Sequence, residues 1–91
     1  MATVEIYTWS TCPFCARTKW LLDRKGIFYT EYVIDGDEAA RDAMAARGKD
    51  GKRSVPQIFI NDQHIGGNED LFRLEMDGQL DSLLEADPTQ N

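Results

Sequence analysis

Cys12-Pro13-Phe14-Cys15 places two thiols three positions apart, and the 91-residue chain contains no other cysteine. A pair at that spacing at the start of a helix can pass between dithiol and disulfide. Pro13 suits a first helical turn, where its missing N–H is not needed. The unpaired N–H groups of that turn and the positive end of the helix dipole stabilise a thiolate at Cys12. A lowered pKa keeps the sulfur ionised near neutrality and makes it a better leaving group. Thr11, and Ser10 before it, can add hydroxyl donors. Cys15 shares a helical stripe with Thr18, Leu21 and Leu22, which turns it toward the interior while Cys12 stays accessible. Cys12 therefore reads as a nucleophile and Cys15 as the thiol that resolves a mixed disulfide held on it.

Two blander readings compete. Zinc also uses C-x-x-C, but a tetrahedral site normally needs four ligands, and the chain has no other cysteine and one histidine, His64. Two inert core cysteines would suit Cys15. They do not suit Cys12, beside a proline at a helix start.

The elements that must position this pair can be read along the chain. Thr3 to Thr8 alternates as a strand, and a helix then runs from Pro13 to about Lys25, with Gly26 as its stop. Phe28 to Ile34 is a second strand, rich in aromatic and β-branched residues. Glu38 to Arg47 is a helix of good formers, ended by Gly48. A basic connector, 48–53, leads to a strand over Gln57 to Ile60. Asn61-Asp62 turns the chain into Gln63-His64-Ile65, and Gly66-Gly67 breaks that strand. Asn68 is placed to cap a helix carrying Leu71 and Leu74; Gly78 ends it, and Leu80, Leu83 and Leu84 stripe a last helix. The tail from Asp87 to Asn91 is expected to fray. The order β-α-β-α-β-β-α-α gives a parallel crossover followed by an antiparallel hairpin. The expected α/β fold is a mixed four-stranded sheet with helices on both faces.

Composition narrows the function. Apolar residues make up 42% and charged residues 29% of the chain, ordinary values for one globular domain. Sixteen acidic against ten basic residues give a net charge of −6. That argues against nonspecific nucleic-acid binding, which rests on neutralising phosphates, and no nucleic-acid partner is expected. No run approaches the roughly 18 apolar residues of a membrane span, and no basic segment leads into an apolar stretch as in a signal peptide. A cytoplasmic protein without membrane partners is the expectation. The connector Gly48-Lys49-Asp50-Gly51-Lys52-Arg53-Ser54 lacks the spacing of a phosphate loop, and His64 reads as a hairpin side chain.

Three signatures, in order and in fitting elements, resemble the dithiol class of glutaredoxins over essentially the whole length: Thr11-Cys12-Pro13-Phe14-Cys15, Ser54-Val55-Pro56, and Gly66-Gly67-Asn68-Glu69-Asp70. Phe14 stands where that family usually has tyrosine. The resemblance implies a thioredoxin-like fold over 1–86. It also implies glutathione-dependent reduction of protein–glutathione mixed disulfides and of protein disulfides, with glutathione as reducing co-substrate. No tightly bound cofactor or metal is implied, and the expected state is a monomer.

The resemblance also assigns site residues. Thr11, Pro13, Phe14 and Pro56 would support the cysteines. Read from the residues alone, Pro56 is an ordinary trans proline opening a strand; the resemblance implies a cis Val55-Pro56 bond facing Cys12, with the Val55 backbone turned toward substrate. Gly67, Asn68 and Glu69, and less directly Asp70, would grip the γ-glutamyl end of glutathione through backbone donors and an acidic side chain. By themselves the same residues also read as a glycine turn and an acidic helix start. The glycyl carboxylate needs a cation, and the family's frequent lysine is here Trp9. Arg41 takes a position where the family often contacts that carboxylate, with Arg53 and Lys52 as further candidates; arginine offers a two-pronged donor geometry, and a solvated surface charge is the plain alternative for each. Asn68 replaces a third cysteine found in many relatives.

Two other functions fit the same frame. A redoxin fed by a flavoprotein thioredoxin reductase is separated by its electron donor. A dimeric carrier of a glutathione-ligated [2Fe–2S] cluster is separated by its visible absorption under anaerobic conditions.

Overall fold

A computed structural model describes residues 1–87. Eight elements follow in chain order: β1 (Val4–Thr8), α1 (Pro13–Arg24), β2 (Thr30–Val33), α2 (Glu38–Arg47), β3 (Gln57–Ile60), β4 (Gln63–Gly66), α3 (Asn68–Met76) and α4 (Leu80–Glu85). The strands form one sheet in the order β2-β1-β3-β4. β1 pairs with β2 in parallel and with β3 antiparallel, and β3 pairs antiparallel with β4. This is the expected mixed sheet.

Alternation along β1 builds the two faces. Val4 and Ile6 point into a core with Leu21 and Leu22 of α1, Ile58 and Ile60 of β3, Leu71 of α3, and Leu80 and Leu84 of α4. Complete burial of one such side chain stabilises the fold by about 1.5–3 kcal/mol. Glu5 and Tyr7 face the other way and meet α2. There Arg47 pairs with Glu5, donates to the Tyr7 hydroxyl at 3.3 Å, and lies over the Phe59 ring at 4.1 Å. The sheet is therefore covered on both sides, with α2 on the second face.

β2 is shorter than its composition predicts. The ladder begins at Glu5 opposite Thr30, and Phe28 is 91% exposed. The backbone N–H of Ile27 donates to Leu22 O at 3.0 Å, which folds the chain back against the end of α1. Residues 27–29 thus serve the connection rather than the sheet. At the other end of the chain, the fraying expected from Asp87 onward concerns mostly residues 88–91, which lie outside the described residues.

Candidate active site

β1 delivers the chain to the cysteine pair through a short loop. Ser10 donates to Asp35 twice, from its backbone N–H at 2.8 Å and its hydroxyl at 2.6 Å. These bonds, the hydroxyl's first, hold the Asp35 carboxyl below its usual range. Ser10 is therefore not a donor to Cys12, as its position suggests; its hydroxyl anchors the loop. Cys12 has extended backbone and is the N-cap of α1, with Pro13 opening the first turn. The Cys15 N–H donates to Cys12 Sγ at 3.2 Å, so an amide at the helix start does converge on that sulfur. The two cysteines are joined in a disulfide, with Cα atoms 5.1 Å apart. Cys15 is 1% exposed and packs inward with Thr18, Leu21 and Leu22. Cys12 is partly exposed and Phe14 is exposed.

The Val55-Pro56 peptide bond is cis. Val55 O lies 4.0 Å from Cys12 Sγ, which brings the second signature against the first. Val55 and Pro56 form one wall of a groove of about 520 Å³. Phe14 and Arg17 of α1 line it from one side, Gly67, Asn68 and Glu69 from another, and Asp50 and Lys52 from the connector.

The third signature is a turn built around one carboxylate. Gly66 has φ +118°, and a Cβ there would overlap the Asp70 carboxylate, so glycine is required on two grounds. Asp70 Oδ2 accepts from the Gly67 N–H at 3.0 Å. Gly67, not Asn68, is the N-cap of α3. Asp70, at the third position of the helix, reaches back to the N–H of the cap residue and so forms the second half of a capping box. Asn68 instead accepts at Oδ1 from the Thr18 hydroxyl at 3.0 Å, tying α3 to α1. The Glu69 side chain is 89% exposed and meets Arg73 only at 3.8 Å.

Arg41 and Arg53 do not line this groove. Arg41 lies over the Trp9 ring at 4.5 Å, beside the loop that leads to Cys12. Its guanidinium also approaches Glu38 at 3.9 Å. Arg53 is held by α2 through Glu38 at 2.8 Å and a close pair with Asp42. Trp9 buries its indole Nε1 without a hydrogen-bond partner among the described residues.

Comparison with known proteins agrees with this arrangement. The glutaredoxin family profile matches residues 4–65. The chain belongs to the glutaredoxin family. It is 62% identical over 85 residues to a probable glutaredoxin of Synechocystis sp., covering 93% of this chain and 96% of that one. It is 53% identical over 85 residues to glutaredoxin 3 of Escherichia coli, covering 93% of this chain and 100% of that one. Among solved structures, a buckwheat glutaredoxin–glutathione complex superposes with a TM-score of 0.84 at 29% identity, covering 92% of this chain and 77% of that one. The fold is thioredoxin-like, and the protein is a glutathione-dependent thiol–disulfide oxidoreductase with a redox-active cysteine pair. Glutathione is the co-substrate of glutaredoxins.

Two features of this glutaredoxin's site escaped the sequence reading. Arg17 sits three residues after Phe14 on α1, with its guanidinium 5.7 Å from the Phe14 ring centre; the helical i, i+3 spacing is the signal that would have found it. The second is a pair of buried polar side chains, Gln57 at 3% and His64 at 6% exposure. They lie on different strands and become neighbours only when β3 and β4 pair. Among the described residues no helix is long and apolar enough to cross a membrane.

Proposed function

We propose that Cys12 is the nucleophile and Cys15 the resolving thiol of this glutaredoxin. The observation that carries the assignment is the Cys15 N–H aimed at Cys12 Sγ at 3.2 Å, while Cys15 itself is buried. A negative sulfur is stabilised at the first position, while burial keeps the second as a thiol until the mixed disulfide forms beside it.

With a protein–glutathione mixed disulfide, the Cys12 thiolate attacks the glutathione sulfur. The protein sulfur leaves with the bonding electrons and takes a proton, and Cys12 is left glutathionylated. A second glutathione thiolate then attacks the glutathione sulfur on Cys12, releasing glutathione disulfide and restoring the Cys12 thiolate. With a disulfide inside a protein, Cys12 forms the mixed disulfide first. Cys15, having lost its proton, attacks the Cys12 sulfur and expels the second substrate thiol. The resulting Cys12–Cys15 disulfide is reduced by two glutathiones.

The tripeptide lies along Cys12 in this reading. Val55, ahead of the cis Pro56, pairs with its backbone as a short added strand. The backbone N–H groups of Asn68 and Glu69 at the start of α3 receive the γ-glutamyl carboxylate beside Gly67, and the exposed Glu69 side chain takes the ammonium; the Gly67 N–H and Asp70 are already committed to each other. Arg41, stacked on Trp9, takes the glycyl carboxylate, while Arg53 is secondary because α2 already engages it. Thr11, Pro13 and Phe14 shape the approach to the sulfur. The working unit is residues 1–86, acting as a monomer in the cytoplasm on glutathionylated and disulfide-containing proteins.

Serine replacements test the roles. Cys12→Ser should abolish all turnover. Cys15→Ser should spare deglutathionylation of a peptide and impair reduction of an intraprotein disulfide. Residual turnover in Cys12→Ser, or loss of both activities in Cys15→Ser, overturns the assignment.

A further inference from the structure

We infer that His64 is a positioning residue for the oxidoreductase reaction: one neutral imidazole pins both ends of segment 49–54 and thereby sets the connector wall of the glutathione groove. This rests on the groove reading above and extends it to a residue outside the groove.

The hydrogen bonds run in one direction. The Lys49 backbone N–H donates to His64 Nδ1 at 3.0 Å. A backbone N–H can only donate, so Nδ1 carries no proton and the ring's hydrogen sits on Nε2. His64 Nε2 lies 2.6 Å from Gln57 Oε1 and donates to it. That fixes the Gln57 amide with its Nε2 toward Ser54 O, to which it donates at 3.0 Å. Lys49 opens the segment and Ser54 closes it, immediately before Val55-Pro56. Between them lie Asp50 and Lys52, which line the groove.

Packing holds the ring in place. The imidazole stacks on Phe59 at 5.0 Å between centroids and 28° between planes. Gly48 approaches so closely that a Cβ would lie 3.1 Å from His64 Cε1. Gln57 and His64 are both buried, so neither can turn to water if its partner is lost, and an unpaired group there is costly.

One proton changes the pattern. A second proton on Nδ1 would face the Lys49 N–H, donor against donor, and release that end of the segment. The charged groups facing the ring are Lys49, Asp50 and Lys52 of the connector and Asp70 of α3. Arg73 and Asp77 of the α3 region line the same side of the molecule, and Arg47 lies on the other side of the stack, over Phe59. Burial, the largest influence, holds the imidazole below its ordinary value of 6.5. The neutral relay is therefore complete at and above 6.5 and is lost only as pH falls through the imidazole's lower folded-state value.

The test uses a short peptide carrying a cysteine–glutathione mixed disulfide, with glutathione saturating. His64→Phe keeps a ring against Phe59 and removes both nitrogens. Its KM for the peptide should rise roughly fivefold, with kcat changed by less than about twofold. As pH falls from neutrality to well below 6.5, through the lowered titration of the imidazole, the wild-type KM should climb while that of His64→Phe stays flat. Gln57 also lines the groove, so the relay is read from the double variant: His64→Phe should add nothing to the KM of Gln57→Met, since both break one relay. Glu69→Gln serves as the groove control. A normal KM in His64→Phe and in Gln57→Met, with a raised KM in Glu69→Gln, overturns the role of His64 alone. A normal KM in all three overturns the groove reading and this inference with it. If His64→Phe does not fold, Gln57→Met and the wild-type pH profile decide.

Discussion

The Thr18 hydroxyl donates to Asn68 Oδ1 across 3.0 Å, from a side chain that is 0% exposed. Thr18 is one helical turn beyond Cys15, and Asn68 opens α3. This bond is a buried polar link between the helix that carries the cysteines and the helix start proposed to receive glutathione.

Asn68→Ala leaves the buried Thr18 hydroxyl without its acceptor. The expected loss is about 1–3 kcal/mol, read as a fall in Tm of roughly 4–8 °C for each kcal/mol in a domain of this size. Thermal unfolding checks it. An unchanged Tm would mean that Thr18 finds another partner.

Acid should weaken the α2 face selectively. The hydrogen bond from Arg47 holds Glu5 below its ordinary value of 4.5, against burial, with Tyr32 adding a second donor. A folded-state pKa beneath the unfolded one means the stabilisation is present above about pH 4.5 and lost as pH falls through the folded value. Tm should therefore drop more steeply between neutral pH and about pH 3.5 in the wild type than in Glu5→Gln. Parallel slopes would remove this pair from the acid response.

Gly66→Ala should be severe for a methyl group. The residue would have to adopt φ +118° with its Cβ against the Asp70 carboxylate, at a cost of about 1–3 kcal/mol. Moving Asp70 would also break its bond to the Gly67 N–H. Tm should fall and KM for glutathione should rise together. A variant with normal Tm and normal KM would show that the turn relaxes freely.

Arg41 and Arg53 should separate in kinetics. Arg41→Ala removes the cation stacked on Trp9 and is expected to raise KM for glutathione roughly tenfold, as for a charge-assisted hydrogen bond. Arg53→Ala breaks pairs with Glu38 and Asp42 and should change KM by less than about twofold. Equal effects would place the two guanidinium groups at the same carboxylate.

Local rules made much of this molecule readable. The strand–cysteine–proline–helix passage, the Gly66-Gly67 break and the leucine stripes each depend on neighbours in sequence, and the structure has them where expected. What escaped depends on partners far along the chain. Ser10 turns to Asp35, Arg53 to Asp42, and Asn68 to Thr18, and none of these pairings has a local signal. β2 starts late because Ile27 bonds back to Leu22. The cis bond before Pro56 is a case between these: the residues alone favour trans, and only the family resemblance corrects them. His64 belongs with the distant partnerships, since its donors and acceptors come from the connector and β3.

The cysteine pair spans a single helical turn, with Cα atoms 5.1 Å apart. That small covalent ring closes within the first turn of α1 and ties no second element to it. In a body with a radius of gyration of only 12.5 Å, the covalent change of the redox cycle is thus confined to four residues at one end of one helix.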